Sequence, residues 1–220
     1  MIEVRTTTDG SHTLFAPEFQ EHYHSTHGAV QESMHVFINS GLKYLSPDRD
    51  QINILEMGFG TGLNGLLSLL NAGDASVFYT GIEAFPVDAK VIAALNYPDF
   101  LASPDSAKIF QALHEADWET EVFINKKFKL RKIHAQMQDV ELEDEKYEMV
   151  YFDAFAPDVQ PELWSEAMFR RIFKAMKAGG VLMTYSAKGL VKQNLRAAGF
   201  EVKRLPGPPG KRHIIRAHKA

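Results

Sequence analysis

Apolar and polar positions fall into alternating blocks along this chain of 220 residues. The run "INILEM" (52–57) is short and apolar, as a buried strand is. Directly after it, Leu63, Leu66, Leu67 and Leu70 recur at helical spacing within 62–71, and Asn71-Ala72-Gly73-Asp74 stops that helix. Residues 76–83, "SVFYTGIE", read as a second strand, and Pro86 sits at an expected first helical position before "VDAKVIAALNY". Residues 98–135 break the rhythm: helical turns come first, then 121–135 as a hairpin turning at Asn125-Lys126-Lys127. Another buried strand is expected over 147–155, and Pro161 opens a helix that Gly179-Gly180 ends. A strand (180–186), a helix (188–199) and two strands (200–205 and 211–218) separated by "PGPPG" complete the pattern.

Strands alternating with helices predict an α/β fold with a doubly wound, mostly parallel sheet. The last two strands lack a crossover helix, so they should form an antiparallel hairpin at one edge. Residues 1–45 are expected to be a small extension packed on a core of 46–220, made of a β-hairpin turning at Thr8-Asp9-Gly10-Ser11 and a helix over 29–40. No internal repeat and no low-complexity segment interrupts the chain.

Composition narrows the chemistry. There is no cysteine, which excludes disulfides, thiolate metal sites and a Cys nucleophile. No run of 18 apolar residues predicts a membrane span, and "MIEVRTTTDG" lacks a signal-peptide pattern, so a cytoplasmic protein without membrane partners is expected. The spacing of His22, His24, His27 and His35 fits no zinc pattern, so no metal is expected. Trp164 and Phe169, at helical spacing, read as core. The net charge of −4 hides an asymmetry: residues 188–220 hold nine Lys/Arg and one acid, a local +8, against −12 on the rest. That tail suits either a solvated face or phosphate contacts.

The segment "LEMGFGTGLN" (55–64) places Gly58, Gly60 and Gly62 between strand and helix, where a backbone can turn tightly and a ligand can approach a helix N-terminus. Residue 63 is Leu, so the third glycine of the dinucleotide fingerprint is missing, and Gly65-Leu66 excludes a phosphate loop. G-x-G-x-G with an acid before it, here Glu56, resembles class I S-adenosylmethionine (SAM) methyltransferases, in which the acid pairs with the cationic methionyl part. Glu83, ending the second strand, could accept from both ribose hydroxyls. Asp153 ends the fourth sheet strand and should face the same crevice. A carboxylate there suits an amine acceptor, because methyl transfer moves positive charge onto nitrogen, and it could also take the proton that the amine loses. A tight turn, a solvated strand end and a turn cap are the plain structural alternatives for these three features.

Further segments make the resemblance specific. Glu56–Asn64, "DAFAP" (153–157) with Pro161 and Leu163-Trp164, "YHS" (23–25) with "ESMHVFI" (32–38), and "SAKG…VKQNLRAAGFEV…PGPPGKRH" resemble, in order, the methyltransferase domain of the bacterial tRNA wobble-uridine modification enzyme MnmC and its standalone relative MnmD. The resemblance implies methylation, with SAM as co-substrate, of the aminomethyl nitrogen on C5 of the wobble uridine. It assigns Glu56, Gly58, Phe59, Gly60, Thr61, Gly62, Asn64 and Glu83 to the cofactor. It puts Gln136 where many class I enzymes have an Asp that accepts from the adenine amine. Asp153 would be catalytic. Tyr23, His24, Ser25 and Glu32 would shape the substrate side, Phe155 and Pro157 would border the uridine, and Lys211 and Arg212 would meet an anticodon stem-loop. A flavin-dependent oxidase domain has no room in 220 residues, so no flavin is expected and a separate enzyme would supply the aminomethyl substrate. A small-amine methyltransferase or aminopropyltransferase-like enzyme shares the fold without needing the basic tail. A non-catalytic nucleotide- and RNA-binding module would tolerate loss of Asp153, and an NAD oxidoreductase lacks its fingerprint.

Overall fold

The computed structural model describes residues 2–45 and 49–220. Strands β1 (Glu3–Thr6), β2 (His12–Ala16) and β3 (Glu21–His22) form a small antiparallel sheet. Helix α1 (Ala29–Ser33) continues without a break as a π-helical segment, Met34–Leu42, and a last turn α2 (Lys43–Leu45). The sequence predicts this helix only to residue 40. The π segment sets Val36, Phe37, Ile38 and Leu42 into the main core, and Gly41 lies so close to Met183 that a Cβ there would be 2.6 Å from its side chain. The expected division between 45 and 46 falls at 46–48, outside the described residues.

The central sheet then follows: β4 (Gln51–Met57), α3 (Leu63–Asn71), β5 (Ser76–Glu83), α4 (Ala89–Ala93), α5 (Ser106–Glu115), β6 (Glu121–Asn125), β7 (Phe128–His134), β8 (Tyr147–Phe152), α6 (Glu166–Ala175), β9 (Met176–Thr184), α7 (Gly189–Ala197), β10 (Glu201–Pro206) and β11 (His213–His218). Its spatial order is β10-β11-β9-β8-β4-β5-β7-β6. The five central strands are parallel, and both edges are antiparallel hairpins, β10–β11 and β6–β7. The doubly wound fold with its C-terminal edge hairpin is thus as the pattern predicts. Among the described residues no helix is long and apolar enough to cross a membrane.

Side chains alternate across the strands into two apolar cores, one per face. Ile52 and Ile54 of β4 join the π segment, α3 and α5, whereas Leu55 and Met57 join α6 and α7. Trp164 and Phe169 are core, as expected; Trp164 is 1% exposed and its indole N–H donates to the Phe155 carbonyl at 2.8 Å.

Helix starts differ from expectation where a polar cap wins over proline. Pro86 does not begin α4: the Asp88 carboxylate caps it, accepting from the Lys90 N–H at 2.7 Å. Pro161 opens only a 3-10 turn, Pro161–Trp164, after which Ser165 caps α6 by accepting from the Met168 N–H. Gly179-Gly180 does not end that helix. It stops at Ala175, and both glycines lie within β9, where the β8–β9 register shifts and Gly179 takes φ +72°.

One buried carboxylate fixes β4 against β8. Glu148 accepts from the Asn53 backbone and side-chain N–H groups at 2.7 and 2.9 Å, and pairs with Lys177. Burial raises its pKa, but the hydrogen bonds from Lys177 and Asn53 outweigh that and hold it below the usual value. Its stabilisation is therefore present above the ordinary Glu pKa and fades as pH falls through the depressed one. Glu148→Ala should cost about 2–3 kcal/mol at pH 7 by urea titration, and less as pH is lowered towards 3.

Candidate active site

The strand order reverses between β4 and β8, and a crevice opens at their carboxyl ends. The glycine loop after β4 crosses the residues after β8 at that point. Gly58, Gly60 and Gly62 all have left-handed backbones, with φ +96°, +49° and +70°. A Cβ on Gly58 would stand 2.8 Å from the Asp153 carbonyl oxygen; on Gly60, 3.3 Å from the Tyr23 ring; on Gly62, 2.8 Å from His114 Nε2. Side chains are thus excluded first by the protein's own neighbouring strand, extension and helix. Backbone bonds fix the crossing: Gly58 and Phe59 N–H donate to the Ile82 carbonyl, and the Asp153 N–H to the Met57 carbonyl, all at 3.0 Å.

A cavity of about 290 Å³ opens there. Three carboxylates converge on it from three strand ends: Glu56, the penultimate residue of β4, Glu83 ending β5, and Asp153 after β8. Asn64, in the first turn of α3, bridges two of them. Its amide donates to Glu56 Oε1 and to Asp153 Oδ2, both at 2.9 Å. Glu83 accepts from the Gly60 and Phe85 N–H groups at 2.8 Å each, which clamps the loop to β5. Burial pushes the Glu56 carboxyl well above the usual range, and repulsion from Asp153 adds to it. Asp153 is pushed up to about 7 by burial and by Glu32, against the opposing effects of Asn64 and Lys211. Glu56 Oε2 and Asn64 Oδ1 are buried and end without a partner of hydrogen-bond geometry. Such a site stabilises bound cations, and has acceptor oxygens to spare for a polar ligand.

The wall from the extension carries Tyr23, His24, Ser25 and Glu32. Glu32 is buried, accepts from the Ser25 N–H at 2.6 Å and pairs with Lys211, whose ammonium also lies 4.7 Å over the Tyr185 ring. Burial pulls His24 down to about 4, so it is neutral at pH 7. Phe59, Thr61, Gln136 and Phe155 also line the cavity. Three expected site residues do not: Gly62 lies against His114, Pro157 is buried beside the cavity, and Arg212 is exposed outside it. Sequence reasoning missed Phe85, Gln160 and Tyr185, which do line it; the Tyr185 hydroxyl donates to the Ala154 carbonyl at 2.8 Å. Phe85 and Tyr185 lie just past the ends of β5 and β9, so the strand-end rule could have found both. Among the described residues no group of three or more His, Cys, Asp or Glu could hold a metal ion.

Residues 106–220 match the family model of S-adenosyl-L-methionine-dependent methyltransferases, a match that begins after the glycine loop. The chain is 30% identical over 214 residues to the tRNA 5-methylaminomethyl-2-thiouridine biosynthesis bifunctional protein MnmC of Magnetococcus marinus, covering 93% of this chain and 32% of that one. It is 27% identical to the protein of the same name from Actinobacillus pleuropneumoniae, covering 96% and 34%. It therefore spans about a third of the length of these curated relatives. The crystal structure of MNMC2 from Aquifex aeolicus superposes with TM-score 0.82 and 26% identity, over 99% of this chain and 70% of that one. Spermidine synthase from Thermotoga maritima, at TM-score 0.56 and 14% identity, shares the fold.

Two outcomes test this geometry. Gly58→Ala should destabilise the protein by about 2 kcal/mol or more in urea titration, because it combines backbone strain with a collision against Asp153. Asp153 titrates higher folded than unfolded, so wild-type stability should decline as pH rises from its ordinary pKa towards 7. Asp153→Asn should therefore melt about 2–4 °C above wild type at pH 8 and show no such gain at pH 4 in scanning calorimetry.

Proposed function

The chain belongs to the family of S-adenosyl-L-methionine-dependent methyltransferases, and we propose that within it the protein methylates the aminomethyl nitrogen on C5 of the wobble uridine in tRNA. The product is 5-methylaminomethyl-(2-thio)uridine. The observation that carries the reading is Asp153, a carboxylate held by Asn64 at the sheet's switch point with its pKa raised to about 7. The names of the relatives above supply the RNA and the modified uridine.

The residues present fit SAM, a cation, on the evidence of the unpartnered Glu56 Oε2 and Asn64 Oδ1 and the close-turning glycine loop. SAM supplies an electrophilic methyl group. Glu56 would face its cationic methionyl part, Glu83 its ribose, and Gln136 its adenine amine, with Gly58, Phe59, Gly60 and Thr61 forming the floor. On the substrate side Asp153 accepts a hydrogen bond from the incoming ammonium. The N–H bond breaks, the proton passes to the Asp153 carboxylate, and the electron pair stays on nitrogen as the nucleophile. An ordinary carboxylate would hold the amine protonated; burial raises the basicity of Asp153 and disfavours the ammonium at the same time. Methylation returns a positive charge to nitrogen; Asp153 releases its proton to solvent and, as a carboxylate again, pairs with the new ammonium.

Tyr23, His24, Ser25, Glu32 and Phe155 would frame the uridine. Lys211 would act within the cavity wall, while the exposed cations Lys203, Arg204 and Arg212 would meet anticodon-stem phosphates. A uridine in an anticodon loop is already partly unstacked, so presenting it costs little. A separate enzyme would supply the aminomethyl group, and the protein would act where tRNA matures, in the cytoplasm. A small-amine acceptor is compatible with the fold, but the relatives, which align with nearly all of this chain, favour tRNA.

Bulk tRNA from cells lacking this protein, incubated with labelled SAM and analysed as nucleosides by mass, should gain one methyl group on 5-aminomethyl-(2-thio)uridine. Asp153→Ala should abolish transfer while retaining SAM binding by calorimetry, and Gly60→Val should lose both. Bound SAM with no label in tRNA would sink the reading.

A further inference from the structure

The cavity mouth carries a row of aromatic rings, two of which, Phe19 and Phe85, have no part in the reaction described above. Phe85 lies 5.9 Å from Phe19, and Phe19 lies 4.8 Å from Phe155, centroid to centroid. Tyr23 meets Phe155 edge-on at 5.2 Å, which continues the row into the cavity. Phe85 is 46% exposed and Phe19 half-buried. Hydrophobic burial therefore does not explain why the rings stand at the solvent boundary.

Phe19 is held there by an unusual backbone. It sits in the turn between β2 and β3, closed by its own N–H to the Ala16 carbonyl at 3.2 Å. Gln20 next to it adopts φ +52°, rare for a residue with a side chain, and its amide donates to the Pro17 carbonyl at 2.7 Å to hold that conformation. Charge divides across the mouth. The turn carries Glu18 and Glu21 and no cation, whereas Lys211, followed by the exposed Arg212, stands on the side of β11. A wall of rings without cations suits nucleobases, and a wall with cations suits phosphates.

On the tRNA reading above, we propose that Phe19, backed by Phe85, stacks on the base adjacent to the uridine being methylated. When the uridine enters the cavity, its neighbour loses a stacking partner. An aromatic face at the mouth replaces it without reading the neighbour's identity.

The test uses a synthetic anticodon stem-loop carrying 5-aminomethyluridine, with the full-length protein and SAM. Phe19→Ala and Phe19→Leu should each raise KM for RNA about tenfold, while Phe19→Trp keeps it near wild type. SAM affinity and melting temperature should stay unchanged. The Leu variant keeps the apolar volume, so it carries the test if the Ala variant folds poorly. The same RNA with an abasic site on one side or the other of the uridine should cost the wild type about as much, and Phe19→Ala should add no further loss on the RNA lacking the stacked base. Fully additive losses on both abasic RNAs, an unchanged KM, or weakened SAM binding that marks Phe19 as a cofactor wall would each overturn the proposal. No methyl transfer to either the stem-loop or whole tRNA by wild type would remove the tRNA reading itself, and this inference with it.

Discussion

Among the described residues, five carboxylates, Glu21, Glu32, Glu56, Glu83 and Asp153, line one cavity that offers a single ammonium, Lys211, in return. That imbalance organises the structure around it. Asn64 gives both amide protons to two of the acids, and loop N–H groups occupy a third. The acids can be gathered only because β4, β5 and β8 end side by side at a switch point, and because glycine at 58 lets the loop pass against the Asp153 carbonyl. The penalty for holding them is offset elsewhere, by two apolar cores on opposite faces of the sheet and by polar ties such as Glu148 with Asn53 and Lys177. Asn53 and Glu148 lie near the amino ends of β4 and β8, and the clustered acids at the carboxyl ends of the strands.

Much of the scaffold was legible because parallel strands buried on both faces leave near-continuous apolar runs. The strand at 76–83 was read to the residue, Glu83 and Asp153 followed from where open α/β sheets bind ligands, and Glu56 followed from its place before the glycine motif. Helix boundaries were less legible. Pro86 and Pro161 are strong start signals, yet side-chain caps from Asp88 and Ser165 decided where α4 and α6 begin. The π segment was invisible, since its nine residues make only about two turns, too few to separate one helical period from another. The glycine loop was recognised for its chemistry, but its steric cause is tertiary: the Tyr23 and His114 rings come from distant segments. Phe19 could not be found at all, because only the fold carries that turn to the cavity mouth.

The extension and the C-terminal loop meet across the cavity. Lys211 pairs with Glu32, His35 Nε2 donates to the Pro206 carbonyl, and Gly210 lies against the His27 ring so closely that a Cβ would be 2.1 Å from it. Segments about 175 positions apart in sequence thus finish the same wall. The order of synthesis then matters. A nascent chain can lay down β4, β5 and β8 while still on the ribosome, but the charge that balances Glu32 is made 179 positions after it. Until residue 211 has emerged, the partly built pocket carries its acids without their counter-ion. The cavity wall is therefore completed only once both segments are present, however early its strands have paired.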